Sequence, residues 1–285
     1  MRQARTKASN YEVARLLATS APPRLRGEII GYYRTLLAHW GPQNWWPART
    51  RLEVIVGAYL TQNTNWSNVE KAIANLRRAE VLTVSGLRSI PLRQLATLVR
   101  PSGYFRQKAR KLKTFIRFLD RNYAGSLDRM FAQPTDELRA QLLELNGVGP
   151  ETADSILLYA GNHPVFVVDA YTRRIFERHQ IIPAKSKYEE MRSLVERALK
   201  ATSPDSLRIE LSAPDSSHYS PRHPVSPMSR MARNELAQHY NEMHALIVRA
   251  GNEFCRATPR CEECPLRGFL PLHPSEVPSA SEGSL

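Results

Sequence analysis

Leu142-Leu143-Glu144-Leu145-Asn146-Gly147-Val148-Gly149-Pro150-Glu151-Thr152-Ala153-Asp154 decides how the rest of this chain is read. Apolar spacing through Leu138, Leu142 and Leu145 predicts a helix, and Ala153, Ile156, Leu157 and Ala160 predict another. Between them stand two glycines one residue apart, both permissive of positive φ and of close backbone approach. Pro150 suits the first turn of the second helix, where its missing N–H would lack a partner anyway. Amides freed by such a turn collect at a helix N-terminus and form a ready anion site. A lone Gly-x-Gly serves equally well as a tight helix–helix connection, so the surroundings must decide.

The surroundings are helical on both sides. Leu52, Ile55, Val56, Tyr59 and Leu60 recur at helical spacing, as do Val69, Ala72, Ile73 and Leu76. Leu92, Leu95, Leu98 and Val99 form a further helix stopped before Pro101, and 105–121 another with Leu112, Phe115, Ile116 and Leu119 inward. Ala170 to Arg178 starts one more, and strand alternation is nearly absent. The fold class is all-α. Ser- and Pro-rich residues 203–229 read as a mobile insertion, and residues 272–285 as a disordered tail.

Composition agrees with a globular, nucleic-acid-directed chain. Its 285 residues hold 42% apolar and 24% charged side chains, which excludes a disordered, collagen-like or rod-like protein. No apolar run is long enough for a transmembrane helix. With 40 basic against 27 acidic residues the net charge is +13, which favours a polyanionic partner. Arg106, Lys108, Arg110, Lys111 and Lys113 form a dense basic helix able to neutralise phosphates, although positions this close must wrap around the axis. The basic N-terminus lacks the apolar segment of a secretory signal, and its first nine residues also fit an organelle transit peptide. An intracellular protein of cytoplasm or nucleoid is expected, free of membrane and monomeric.

Cys255, Cys261 and Cys264 lie within ten residues of one another in an otherwise Cys-free chain. A disulfide framework would spread its cysteines, so this cluster reads as a metal site in a reducing compartment. Asp169 follows the apolar run Val165-Phe166-Val167-Val168 and precedes a helix, which makes it an N-cap. Hydrogen bonds from the first turn and the helix dipole favour its ionised form. Such a carboxylate can stabilise a nearby positive charge or orient a water, besides capping.

The hairpin, followed at Val167-Val168-Asp169-Ala170-Tyr171-Thr172-Arg173-Arg174 by an aspartate sixteen residues past Ala153, resembles the endonuclease III superfamily of helix-hairpin-helix DNA glycosylases. The resemblance spans roughly residues 45–182. It implies a two-lobed fold, with a six-helix barrel at 49–182 carrying the hairpin and Asp169. Residues 1–48 and 183–271 would supply the second lobe. It implies that Gly147, Val148, Gly149 and Thr152 meet DNA phosphates, that Gln62, beside Asn63, enters the duplex, and that Asp169 is catalytic. Lysine opens the second hairpin helix in the endonuclease III pattern, and Glu151 occupies that place here. The resemblance therefore implies hydrolysis of the N-glycosidic bond without Schiff-base chemistry, Glu151 contacting the base or a water.

Trp45-Trp46-Pro47, Leu60-Thr61-Gln62-Asn63-Thr64, Arg100-Pro101-Ser102-Gly103-Tyr104 and Glu151 look most like the 3-methyladenine glycosylase branch. Trp45 and Trp46 would then stack an extruded base, and electron-rich indoles suit a cationic alkylated purine. The alternatives are a bifunctional glycosylase/lyase for oxidised pyrimidines and a non-catalytic DNA-binding protein. The cysteines resemble the superfamily's iron–sulfur loop with its fourth Cys absent. A [4Fe–4S] cluster, zinc completed by His273, or no metal all stay open.

Overall fold

The computed structural model describes residues 23–183, 185–202 and 223–271. Those described residues are helical and contain no strand. The expectations for 203–222, the tail from 272 and His273 lie outside them, as does the extreme N-terminus.

Helix α1 runs Pro23–Trp40, α2 Arg51–Thr61, α3 Trp66–Arg78, α4 Val84–Ser89 and α5 Leu92–Leu98. After a 3₁₀ turn at Arg100–Ser102 come α6 Phe105–Tyr123, α7 Leu127–Phe131, α8 Thr135–Leu143 and α9 Pro150–Ser155. The last continues as a π-helical turn, Ile156–Ala160, and is followed by α10 Ala170–Arg178, α11 Tyr188–Lys200 and α12 Glu235–Glu253. Local sequence sets the starts. Thr50, Asn65, Thr83, Ser126, Asp169 and Asn234 each accept a backbone N–H from the first turn of their helix.

Helix α2 is the hub. Every residue from Leu52 to Leu60 is buried, and α3, α6, α9 and the π turn pack around it. Its one buried charge, Glu53, is paired with Arg77 of α3. On the other side α12 packs against α1, α10, α11 and the π turn, while α1 also lies along α11. Residues 223–229, the described end of the expected mobile insertion, are not loose. Met228 is buried and its N–H donates to Ala48 O, while Ser226 Oγ donates to Trp46 O. The segment is ordered because it satisfies carbonyls of the tryptophan loop.

The apolar run before Asp169 is extended but joins no sheet. Its residues Val165 to Val168 are buried; the Val165 N–H donates to His163 O at 2.9 Å, and side chains serve further along. Glu196 takes the Phe166 N–H at 2.9 Å and the Tyr188 hydroxyl takes that of Val168 at 3.3 Å, both from α11. The same Tyr188 hydroxyl donates to Asp154 Oδ2 at 2.8 Å. Asp154 is fully buried on α9 and receives Arg139 of α8 in a two-pronged pair, at 2.7 and 3.1 Å. One buried carboxylate thus ties together α8, α9, α11 and the segment that delivers Asp169.

Candidate active site and hairpin

The hairpin joins α8 to α9. Gly147 stands at φ +83°, and a Cβ built there would sit 2.2 Å from Cε of Lys111. Only glycine meets both conditions. Gly149 differs from the expectation: it is extended, with φ −95°, and open space faces its Cβ position. Val148 is buried, and its N–H is committed to Leu145 O at 2.9 Å. The exposed amides of Gly147 and Gly149 donate to no other described backbone group. The N–H groups of Glu151 and Thr152, in the first turn of α9, likewise have no backbone acceptor among the described residues. Substituting Gly147→Ala is expected to strain the turn by about 1–2 kcal/mol and displace Lys111. Affinity for undamaged duplex in a filter or anisotropy titration should fall, while Gly149→Ala stays within about twofold of the parent.

Gln62 ends α2 and reaches across to the hairpin. Its Nε2 donates to Gly147 O at 3.0 Å and to Thr152 Oγ1 at 2.9 Å, while Lys111 Nζ donates to its Oε1 at 2.6 Å. Thr152 is buried, and Asn63 is exposed with φ +54°. Gln62 is therefore held in a fixed position beside the glycine turn. The basic helix needs one correction. Lys108 is buried, and its ammonium donates to Leu60 O at 2.9 Å and Ser102 O at 2.5 Å. It joins the end of α2 to the start of α6, and burial together with nearby Lys111 lowers its pKa to about 8. Arg106 and Arg110 remain exposed on the same helix.

Next to the hairpin lies a pocket of about 550 Å³, a size suited to a small ligand. Its aromatic wall is Trp45, Trp46 and Trp66, with ring centroids 5.1, 6.0 and 5.2 Å apart pairwise. Trp46 also lies 5.0 Å from Tyr159 of the π turn and sits closely over Gly57, where a Cβ would meet its ring at 3.3 Å. The tryptophan loop is anchored by Glu242 of α12, which takes the Gln43 N–H at 2.7 Å. Trp66, the first residue of α3, completes the wall.

The same pocket is lined by Glu151, Asp169 and His244. Asp169 caps α10, its Oδ1 accepting Thr172 N at 2.8 Å and Thr172 Oγ1 at 2.9 Å. Glu151 lines this pocket and keeps solvent access, yet its carboxyl is closely surrounded by protein. That burial, reinforced by the charge of Asp169, pushes its pKa up to about 7. Among the described residues no lysine lines this pocket. A larger surface groove between α6, α7 and α8, about 1060 Å³, is lined by Arg117, Arg121 and Arg129 and, among the described residues, by no tryptophan.

His244, Tyr159 and the whole of α12 escaped the sequence reading. The available signal was a histidine inside the apolar run Met243-His244-Ala245-Leu246-Ile247. Cys255, Cys261 and Cys264 are free thiols, and among the described residues no three His, Cys, Asp or Glu side chains are grouped to hold a metal. Arg178 donates to Cys255 Sγ at 3.2 Å. Among the described residues the three thiols are one short of a four-ligand set, and His273, named above as a fourth ligand, lies outside them. No helix among the described residues is long and apolar enough to cross a membrane.

Comparison with known proteins agrees with this geometry. Residues 56–201 match the family described as HhH-GPD superfamily base excision DNA repair protein. The chain is 41% identical over 243 residues to "Putative DNA repair glycosylase MJ1434" of Methanocaldococcus jannaschii, covering 85% of this chain and 94% of that one. It is 30% identical to endonuclease III of Thermotoga maritima over 77% of this chain and 82% of the relative. Its fold resembles the crystal structure of the Helicobacter pylori 3-methyladenine DNA glycosylase bound to 1,N6-ethenoadenine. That likeness has a TM-score of 0.63 and 28% identity, over 80% of this chain and 97% of that one. With the hairpin, the capping aspartate and the aromatic pocket in place, the chain belongs to the HhH-GPD superfamily of base excision repair DNA glycosylases.

Proposed function

We propose that this glycosylase hydrolyses the N-glycosidic bond of an alkylated purine in double-stranded DNA and leaves the strand uncut. The observation that carries the reading is one pocket beside the hairpin lined by three indoles together with Glu151 and Asp169. An extruded base stacks against the indoles, and a base made cationic by alkylation gains further attraction from their π faces. The positive charge has already weakened its glycosidic bond. Asp169 stabilises the oxocarbenium-like sugar as the base departs, or orients the water that attacks it. Gly147 and Gly149 hold a phosphate, and Gln62, leaving Lys111 and Thr152, takes the vacated place in the duplex. The enzyme works as a monomer, with the helices around α2 as one lobe and α1, α11 and α12 as the other.

Hydrolysis without strand cleavage follows from the amine that is missing. Glu151 stands where the endonuclease III pattern has lysine, and the nearest hairpin amine, Lys111, is bound to Gln62. The 30% identity to an endonuclease III supports the second reading, a combined glycosylase and lyase. The relative of similar fold bound to ethenoadenine supports the first. The three thiols enter no step.

Glu151 supplies the test of a cationic substrate. Its pKa of about 7 means that it is largely neutral at pH 6 and largely ionised at pH 8. An ionised Glu151 attracts a cationic base, so kcat/KM on methylated DNA should rise about tenfold between these pH values, following the ionised fraction. In Glu151→Gln the rise should vanish and the rate stay low. A rise of the same size in Glu151→Gln, or a fall in the parent, would contradict the reading.

A further inference from the structure

The two oxygens of Asp169 have different neighbours. Oδ1 is fixed by Thr172, whereas Oδ2 faces Nε2 of His244 at 3.7 Å. His244 is 5% exposed, and that Nε2 has no hydrogen-bond partner. A buried polar atom left unpaired is costly, so one aimed at a reacting carboxylate calls for a function. Its other ring nitrogen is taken: Nδ1 is hydrogen-bonded to the Tyr159 hydroxyl. Tyr159 in turn packs against Trp46, a wall of the base pocket.

We propose that His244, held by Tyr159, is a positioning residue that fixes the orientation of the Asp169 carboxylate through its Nε2–H. The inference rests on the glycosylase reading above and adds residues to its machinery. Burial raises the Tyr159 pKa well above its ordinary value, so the hydroxyl keeps its proton. Burial lowers that of His244, against the opposing pull of Asp169, so the ring stays neutral. A tyrosine that donates to Nδ1 places the single imidazole proton on Nε2, facing Oδ2. A shift of roughly 1 Å brings that pair within hydrogen-bond reach. Oδ1 is then held by the helix cap and Oδ2 by the imidazole, and the carboxylate cannot rotate away from the sugar.

Two readouts test this on the full chain. Long-range ¹H–¹⁵N correlation of the imidazoles, with the signal assigned by its loss in His244→Gln, should show a neutral ring protonated at Nε2. That signal should move in Asp169→Asn. A ring protonated at Nδ1, or a cationic one, would overturn the proposal whether or not the protein releases a base. In single-turnover base release, His244→Phe should lower the rate about 10- to 100-fold, the scale of a misplaced reacting group. DNA affinity should not change. His244→Gln carries an amide that reaches the Nε2 position and should recover most of the loss, and Tyr159→Phe should lose rate while keeping its ring on Trp46. A His244→Phe enzyme as fast as the parent, a glutamine variant as slow as phenylalanine, or a loss confined to KM would each overturn it. If the parent itself releases no base, the glycosylase assignment fails, and the imidazole signals still decide the geometry.

Discussion

Asn in place of Asp169 is expected to lower base release by about 10³-fold, the scale of removing a preorganised charge from a reacting centre, while binding to undamaged duplex changes less than about twofold. The substitution is selective because asparagine is itself a good N-cap. Its side-chain oxygen can still accept the Thr172 N–H and hydroxyl, now held by Asp169 Oδ1 at 2.8 and 2.9 Å. What disappears is the negative charge beside the departing base, leaving the sugar cation and its water without an organiser. Single-turnover assays with enzyme in excess measure this directly. A variant within tenfold of the parent would show that the carboxylate only caps α10.

Arg139→Leu carries the largest expected effect on stability, a loss of about 3–5 kcal/mol, because it strands a buried charge. Asp154 is fully buried and keeps only the Tyr188 hydroxyl once the guanidinium is gone. For a chain of this size the loss lowers the melting temperature by about 6–20 °C. Changing both partners, Arg139→Met with Asp154→Leu, should recover much of it, since no charge is then left unpaired. Calorimetry on the two single variants and the double variant measures the coupling. Equal and additive losses would mean that the pair is not coupled. Activity should suffer as well, since Tyr188 also holds the N–H of Val168, next to Asp169.

Features written in local chemistry were legible from the sequence, and those that depend on distant partners were not. The hairpin declares itself through two glycines and a proline, and Asp169 through a polar residue between an apolar run and a helix. The tryptophan pair declares itself as an unusual dipeptide. Each signal lies within a few residues, where steric and hydrogen-bonding rules act directly. Lys108 looked like a phosphate ligand because its position on α6 gives no hint that Leu60 O and Ser102 O await it. Gly149 looked like a second left-handed glycine, yet Gly147 alone makes the turn. Residues 223–229 looked loose for their prolines and serines, although Trp46 O and Ala48 O, some 180 residues earlier, hold them in place. His244 is the same lesson in the site itself. Its role depends on Tyr159 and Asp169, 85 and 75 residues away by number, and no periodicity reports such a meeting.

The most direct measurement is a single-turnover reaction on a labelled duplex carrying one alkylated purine. The freed base is followed by chromatography, and the strand is run in parallel with alkali, without alkali and with borohydride. The account predicts that the purine is released, that the strand stays whole until alkali opens the abasic site, and that borohydride traps no covalent complex. Strand cleavage without alkali together with a trapped complex would contradict it, because an amine from outside the pocket would then be the nucleophile.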